Sequence, residues 1–160
     1  SHGADGLRQV SGDAVLNANY LLRSLDDVLD APFGHSGPCM HEALFSDKEF
    51  AGGLSTLDLA KGMIDEGFHP MTMYFPLVVH GAMLVEPTET ESKAGLDQLI
   101  VALRSLAERA RAGDETLKNA PIHAPRRRLD ETLAARKPVL AWSEPEVPGG
   151  PPTRSEQGGA

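Results

Sequence analysis

Apolar residues recur at intervals of three and four along three stretches of the chain, and this spacing predicts three helices. The first covers about residues 5–29. The second begins after Ser55, a residue suited to the cap position, carries Asp58 in its first turn and ends at Gly67. The third presents its apolar face over residues 96–107.

Three residues are unusual inside the first predicted helix. Gly12 costs a helix interior up to ~1 kcal/mol relative to alanine, so the helix could break there. Asn17 and Asn19 compete for backbone hydrogen bonds and are poor interior helix residues. Either both asparagines face water or one of them bonds a neighbouring element, and the sequence leaves both interpretations open.

Short apolar runs predict three strands. The first is expected at residues 41–45, where side chains alternate between two faces. A similar alternation over residues 73–78 predicts the second, although Pro76 interrupts it. The third is the continuous run Ala82–Val85, which should end before Pro87 because proline cannot donate a hydrogen bond to a sheet.

A polar turn joins the third strand to the third helix, where Thr88 and Glu91 have the spacing of a capping box. Beyond that helix we predict an extended arm over residues 113–142 and a disordered tail over residues 143–160, which has almost no apolar residues. The order of elements predicts an α+β domain over residues 1–142, with a small, mainly antiparallel sheet and helices packed on one face.

Composition narrows the class of protein without changing the predicted fold. The net charge of −8 argues against a nucleic-acid partner, which would need clustered cations. A single cysteine, Cys39, excludes an internal disulfide and suits a reducing compartment. No apolar run approaches the ~20 residues that span a bilayer, and no signal-peptide pattern opens the sequence. A cytoplasmic domain without a membrane partner is therefore expected.

Histidine and cysteine side chains are the first candidates for chemistry. His41 and Glu42 begin a metal-binding helix pattern, but Phe45 stands where that pattern needs a second histidine. No histidine pair has zinc-like spacing, so no metal site is predicted. Cys39 is expected to pack as a small hydrophobe, since nothing nearby indicates an activated thiol.

Two charged clusters have a plain interpretation and a sharper one. The arginines at residues 126–128 are expected to be solvated or to pair with Asp130 and Glu131. The carboxylates at residues 86–91 suit the first turn of a helix. On the pattern alone, that interpretation is favoured over one in which Glu86 faces a ligand held by another domain.

A series of short segments stands in the order found in one enzyme family. The segments are residues 14–21, Cys39-Met40-His41-Glu42, residues 57–61, Gly67-Phe68-His69-Pro70, Tyr74-Phe75-Pro76, residues 86–93, Leu96-Asp97, residues 128–131 and residues 134–138. Together they resemble the C-terminal part of subunit 2 of glycine dehydrogenase (decarboxylating), the P-protein of the glycine cleavage system. So many ordered matches are more specific than any one short motif.

The resemblance implies part of a pyridoxal-phosphate (PLP) enzyme that decarboxylates glycine and passes the aminomethyl group to the lipoyl arm of the H-protein. In the family, the large domain with the cofactor lysine lies upstream, and we expect it to be absent from this chain. The family's cofactor lysine is matched by none of Lys48, Lys61, Lys93, Lys118 and Lys137. We therefore expect the chain alone to bind no PLP, to contain no catalytic residue and to be inactive.

What remains resembles the small C-terminal domain of a fold-type-I PLP enzyme, which closes one wall of the active site. The resemblance implies that Glu86, Thr88, His41 and Glu42 line this substrate cleft. No arginine stands there to clamp a substrate carboxylate. The implied partners are the P-protein large domain or other P-protein subunit, and the H-protein. An apolar patch near residues 75–79 should be exposed where a partner belongs. The alternative is a non-catalytic docking or regulatory module that keeps the fold.

Overall fold

Seven regular elements follow one another in the computed structural model, which describes residues 2–142. They are helix α1 (Gly3–Leu25), strand β1 (Ala43–Ser46), helix α2 (Thr56–Asp65), strands β2 (Thr72–Met73) and β3 (Ala82–Val85), and helices α3 (Lys93–Arg111) and α4 (Glu131–Arg136). Two short 3-10 helices, Gly34–Ser36 and Glu115–Asn119, lie in the connections. The chain divides into a unit that ends at Arg128 and a second unit that begins at Leu129 and holds α4.

The sheet has the order β1-β3-β2, and both pairings are antiparallel. Ala43 lies opposite Val85, and Phe45 lies opposite Met83. These four side chains are buried in one cluster with apolar side chains from the helices, which include Leu21, Leu22, Leu25, Leu59, Met63, Leu103 and Leu106. The helices therefore cover one face of the sheet, and the predicted small α+β fold with an antiparallel sheet is confirmed.

Helix α1 is confirmed, but it ends earlier than predicted. It continues through Gly12 without a break, and the Ser11 hydroxyl donates a hydrogen bond to the Leu7 carbonyl one turn earlier. The helix ends at Leu25 rather than at residue 29. Val28 and Leu29 are buried in the turn after the helix. Their apolar side chains therefore extend the helical pattern in the sequence beyond the end of the helix.

The predicted strand over residues 73–78 is wrong beyond Met73. Tyr74 has a φ of +57°, in the left-handed region, which turns the backbone away from the strand direction. Pro76 then has no N–H to donate to a ladder. Residues 74–80 consequently form a loop, which we call the apolar loop, whereas the third predicted strand is confirmed at Ala82–Val85.

The cap predicted for α2 is confirmed, and the one predicted for α3 is wrong. Ser55 precedes α2, and its backbone N–H donates to the Asp58 carboxylate at 2.9 Å. Helix α3 is capped by Ser92, whose hydroxyl oxygen accepts the Gly95 N–H, instead of by Thr88. Thr88 lies in a separate turn closed by the hydrogen bond from the Glu91 N–H to its carbonyl, so the helix starts later than the capping-box spacing suggested.

Part of the predicted arm is not extended. Its 3-10 helix, Glu115–Asn119, buries Leu117 in the core. The segment then follows α2, because the Asp65 carboxylate accepts the backbone N–H groups of Ile122 and His123 at 2.6–2.8 Å. The extent of the domain to residue 142 stays a prediction, and the predicted tail lies outside the described residues.

Arg128 makes a further contact between this segment and α2. Its guanidinium donates to the buried Asp58 carboxylate at 2.7 Å, across 70 residues of sequence. This acceptor differs from the solvent or the nearby acids, Asp130 and Glu131, that the sequence led us to expect. Burial by itself raises the pKa of the Asp58 carboxyl, but hydrogen bonds from Arg128 and Ser55 outweigh it and hold the pKa below the ordinary 3.8. Asp58 thus joins a helix cap to a long-range ion pair.

Replacing Asp58 by alanine should destabilise the unit by roughly 2–4 kcal/mol, because Ser55 loses its acceptor and Arg128 loses its buried partner. Urea unfolding followed by circular dichroism measures the loss. Asp5→Ala is the matched control, since the Asp5–Arg8 pair is exposed and such pairs contribute roughly 0–1 kcal/mol. Equal stability of the two variants would contradict the role assigned to Asp58.

The contribution of Asp58 should also depend on pH. Because the folded pKa lies below 3.8, the ionised carboxylate stabilises the fold above that pH, and the contribution is lost as the pH falls through the folded value. The difference in unfolding free energy between the unchanged chain and Asp58→Asn should therefore shrink below pH 3.8. A difference that stays constant in that range would exclude this linkage.

Candidate functional site

The four residues predicted to line a substrate cleft lie at the same end of the sheet. Strand β1 begins at Ala43 and β3 ends at Val85, and these two residues are paired. In an antiparallel pair the residues before one strand therefore meet the residues after the other. His41 and Glu42 precede β1, while Glu86 and Thr88 follow β3.

A cleft of about 430 Å³ opens at this end, beside β3 and between the neighbouring ends of α2 and α3; we call it the sheet-end cleft. Its lining is largely apolar, with Phe68, Leu84 and Leu99 among the larger side chains. The polar and titratable side chains of the lining are His69, Thr72, Glu86, Thr88 and Glu91. The cleft thus combines an apolar floor with carboxylate and hydroxyl groups.

The structure separates the predicted set into two places. Glu86 and Thr88 line the sheet-end cleft. Glu42 instead lines a second cavity of about 250 Å³, together with Cys39. His41 is exposed and lies outside the lining of both cavities. That any of these four residues contacts a substrate stays a prediction.

Two asparagines of α1 fix one segment beside each cavity. The Asn17 amide donates to the carbonyls of Thr88 at 2.9 Å and Glu91 at 3.5 Å. The Asn19 amide accepts the Cys39 N–H at 2.9 Å and donates to the Cys39 carbonyl at 2.8 Å. The interpretation in which both face water is therefore wrong. The only signal in the sequence was the presence of two poor helix formers two residues apart.

The lining of the sheet-end cleft does not fit PLP. It contains no lysine or arginine, the side chains that bind phosphate, and it holds two carboxylates. The α3 N-terminus nearby is also unsuited to an anion. Its Gly95 N–H is taken by Ser92, and a Cβ placed on Gly95 would lie 3.3 Å from a Glu91 carboxylate oxygen. A phosphate group brought here would be repelled.

The lysine next to the cleft is held as a cation. Lys93 donates to the Asp97 carboxylate at 2.7 Å and to the Tyr20 hydroxyl at 3.2 Å. The hydrogen bond with Asp97, followed by that with Tyr20, raises the pKa of the Lys93 ammonium above 10.5. Lys93 is thus engaged by Asp97 and Tyr20, and it does not belong to the cleft lining.

Other candidate chemistry receives no support from the described residues. Over residues 2–142, no group of three histidine, cysteine, aspartate or glutamate side chains is placed to hold a metal ion. Burial raises the pKa of the Cys39 thiol, which disfavours the nucleophilic thiolate. Within the same residues, no helix has the length and apolar character needed to cross a bilayer.

Fold and cleft together define a small α+β domain with a carboxylate-lined cleft, without a cationic site for a phosphate-bearing cofactor in that lining. A sequence model of one family, described as glycine dehydrogenase, C-terminal domain, matches residues 10–125. The chain belongs to this family.

Three curated relatives of the chain carry the same name. The chain is 70% identical to the probable glycine dehydrogenase (decarboxylating) subunit 2 of Caulobacter vibrioides over 144 residues. The matched residues are 89% of this chain and 27% of that protein. Proteins of the same name in Shouchella clausii and Thermotoga maritima are 50% and 47% identical, over 88% of this chain and 28% and 30% of their own lengths. The chain thus spans less than a third of these relatives.

Replacing Asn19 by alanine should loosen the loop that holds Cys39. The loss of its hydrogen bonds to the Cys39 peptide should destabilise the unit by roughly 1–3 kcal/mol. It should also speed alkylation of the Cys39 thiol by iodoacetamide roughly tenfold, because local opening exposes the thiol. Rates are followed by mass spectrometry of the intact chain.

Asn17→Ala is the matched control for this experiment. It also removes an asparagine from α1, but its partners lie in the turn at residues 88–91. Its Cys39 alkylation rate should therefore stay close to that of the unchanged chain. Equal acceleration in both variants would mean that the helix as a whole has loosened, and that Asn19 has no specific role.

Proposed function

We propose that this chain is the C-terminal domain of a PLP-dependent glycine dehydrogenase (decarboxylating) subunit 2, and that it closes one wall of an active site built on a longer polypeptide. The observation that carries this proposal is the sheet-end cleft, whose lining holds carboxylates and hydroxyls but no lysine or arginine to bind the cofactor phosphate. A domain of this family with such a cleft is suited to complete an active site whose cofactor is held elsewhere.

The proposal divides the work between two parts of the enzyme. PLP, held through a lysine of the preceding part, would supply the electron sink for decarboxylation. In this respect the domain would resemble the small C-terminal domain of fold-type-I PLP enzymes. The residues of this chain would orient the substrate and exclude water, and no cofactor contact is assigned to them.

Within the wall, Glu86 and Thr88 are the residues proposed to meet the substrate. A carboxylate accepts strong hydrogen bonds from an ammonium group, and a hydroxyl can donate or accept. Glu86 is therefore suited to the amino end of an amino acid, whereas the carboxylate end would need cations from another part of the enzyme. His41 and Glu42 are proposed to support the same wall from the start of β1.

The partners follow from the same proposal. The relatives are named subunit 2, which suggests a further P-protein subunit in the functional enzyme. The lipoyl-bearing H-protein would be the acceptor of the aminomethyl group. The half-buried free thiol of Cys39 suits a cytoplasmic setting. The alternative of a non-catalytic module is not favoured, because the relatives bear the names of enzyme subunits.

A hybrid enzyme tests this function. The chain would replace the segment that it matches in the Caulobacter vibrioides relative, and the hybrid would be combined with that enzyme's other subunit. We expect glycine-dependent exchange of labelled bicarbonate by the hybrid, and none by the isolated chain. A folded hybrid that binds PLP but exchanges no label would overturn the proposed function.

A change at Glu86 tests the cleft wall within that hybrid. Glu86→Gln should lower kcat/KM for glycine roughly tenfold, because a charge-assisted hydrogen bond is lost. Glu89→Gln is the matched control, since Glu89 lies in the same connection between β3 and α3 and is exposed but does not line the cleft. If both variants kept full kcat/KM, Glu86 would have no role in substrate binding.

A further inference from the structure

The apolar loop, residues 74–80, exposes four large apolar side chains close together in sequence. Leu77 and Val78 are 89% and 85% exposed, and Phe75 and Tyr74 are 56% and 47% exposed. An exposed patch of this kind was predicted near residues 75–79, and its exposure is confirmed. Contiguous apolar surface on a soluble domain commonly marks an interaction site.

This loop lies at the opposite end of the sheet from the sheet-end cleft. It enters β3 at Ala82, whereas Glu86 follows the last residue of that strand, Val85. None of residues 74–80 lines the sheet-end cleft, and the four residues of β3 place Glu86 roughly 13 Å from the loop end of that strand at the usual rise. The exposure of the apolar loop is therefore not explained by the cleft, and a second contact surface is needed to cover it.

Hydrogen bonds hold both ends of the apolar loop in place. The Tyr74 N–H donates to the Ala82 carbonyl at 2.8 Å. The Gly81 carbonyl accepts the buried Thr56 hydroxyl at 2.7 Å and the Asp47 N–H at 3.2 Å. A Cβ on Gly81 would collide with the Asp47 carboxylate, so only glycine allows this close approach. The loop thus presents its side chains on a fixed base, which lowers the entropy cost of binding.

The size of the patch distinguishes between possible occupants. Even a fully exposed aromatic side chain offers only roughly 150–250 Å². Four partly exposed side chains therefore fall short of the ~800 Å² that each partner buries in a typical stable complex. A second chain held by this loop alone would bind weakly. A tethered segment of the same polypeptide needs less area, because its effective concentration is high.

We infer that the apolar loop is the docking surface for the preceding part of the same polypeptide, and that Leu77 and Val78 are its central contacts. The inference rests on the proposed function, in which this domain works within a polypeptide of its relatives' length; the chain spans only 27–30% of three of them. The docking interface would therefore use residues that do not line the cleft, and the cleft wall would stay free to face the substrate.

Maleimide labelling of single cysteines tests this inference. Leu77→Cys and, as the matched control, Val101→Cys are each introduced with Cys39→Ser. Val101 is also apolar and is 69% exposed on α3. Each variant is prepared as the isolated chain and as the hybrid with the preceding part of the Caulobacter vibrioides relative. In the hybrid, Leu77→Cys should be labelled roughly tenfold more slowly than in the isolated chain, because burial blocks the reagent.

For Val101→Cys, the ratio of the labelling rate in the hybrid to that in the isolated chain serves as the reference. An equal ratio for both positions overturns the inference. Labelling of Leu77→Cys that slows in the isolated chain as the chain concentration rises would indicate a second copy as the occupant, and it also overturns the inference. Labelling that slows only when the other subunit is added overturns it as well. Protection of Leu77→Cys in a hybrid without exchange activity supports the inference and counts against the proposed function alone. Exchange activity in a hybrid whose Leu77→Cys is not protected supports the proposed function and overturns the inference.

Discussion

The antiparallel pairing of β1 with β3 is the constraint on which the rest of the domain depends. Four residue pairs join segments that are about 40 residues apart in sequence. This register places Phe45 and Met83 in the core beneath the helices. A shift of β1 by one residue against β3 would turn Phe45 to the other face while Met83 stayed in the core. The same register brings Glu42 and Glu86 to one end of the sheet and sends the apolar loop to the other end.

The cleft end of the sheet needs a second constraint, because the segments that form it are not strands. Helix α1 provides it through Asn17 and Asn19. An asparagine amide has both a donor and an acceptor, so Asn19 can bond both polar groups of the Cys39 peptide, as a neighbouring strand would. A leucine-rich helix face thus fixes the core, while two amides on the same helix position one loop beside the sheet-end cleft and another beside the second cavity.

Local patterns predicted what depends on neighbours in sequence, and they missed what depends on distant partners. Helix periodicity and the strand Ala82–Val85 were readable because apolar spacing reflects burial directly. The strand over residues 73–78 failed because alternation says nothing about the left-handed turn at Tyr74. The partner of Arg128 lies 70 residues away, and a charge has no local mark of which opposite charge it will meet. The pattern raised Glu86 only as the less favoured interpretation, and the family resemblance supplied the choice of the four site residues.

The distribution of charge in the domain is consistent with a sheet-end cleft that has no lysine or arginine in its lining. Several cations of the domain are engaged in its fold: Arg128 pairs with Asp58, Arg104 with Asp27 and Lys93 with Asp97. The sheet-end cleft is left with Glu86 and Glu91 and a lining without cations. In a chain with a net charge of −8, such a wall repels a phosphate and attracts a positively charged surface. In the proposed enzyme, a cationic cleft in the preceding part would bind the cofactor, and its charge would also favour closure by this domain.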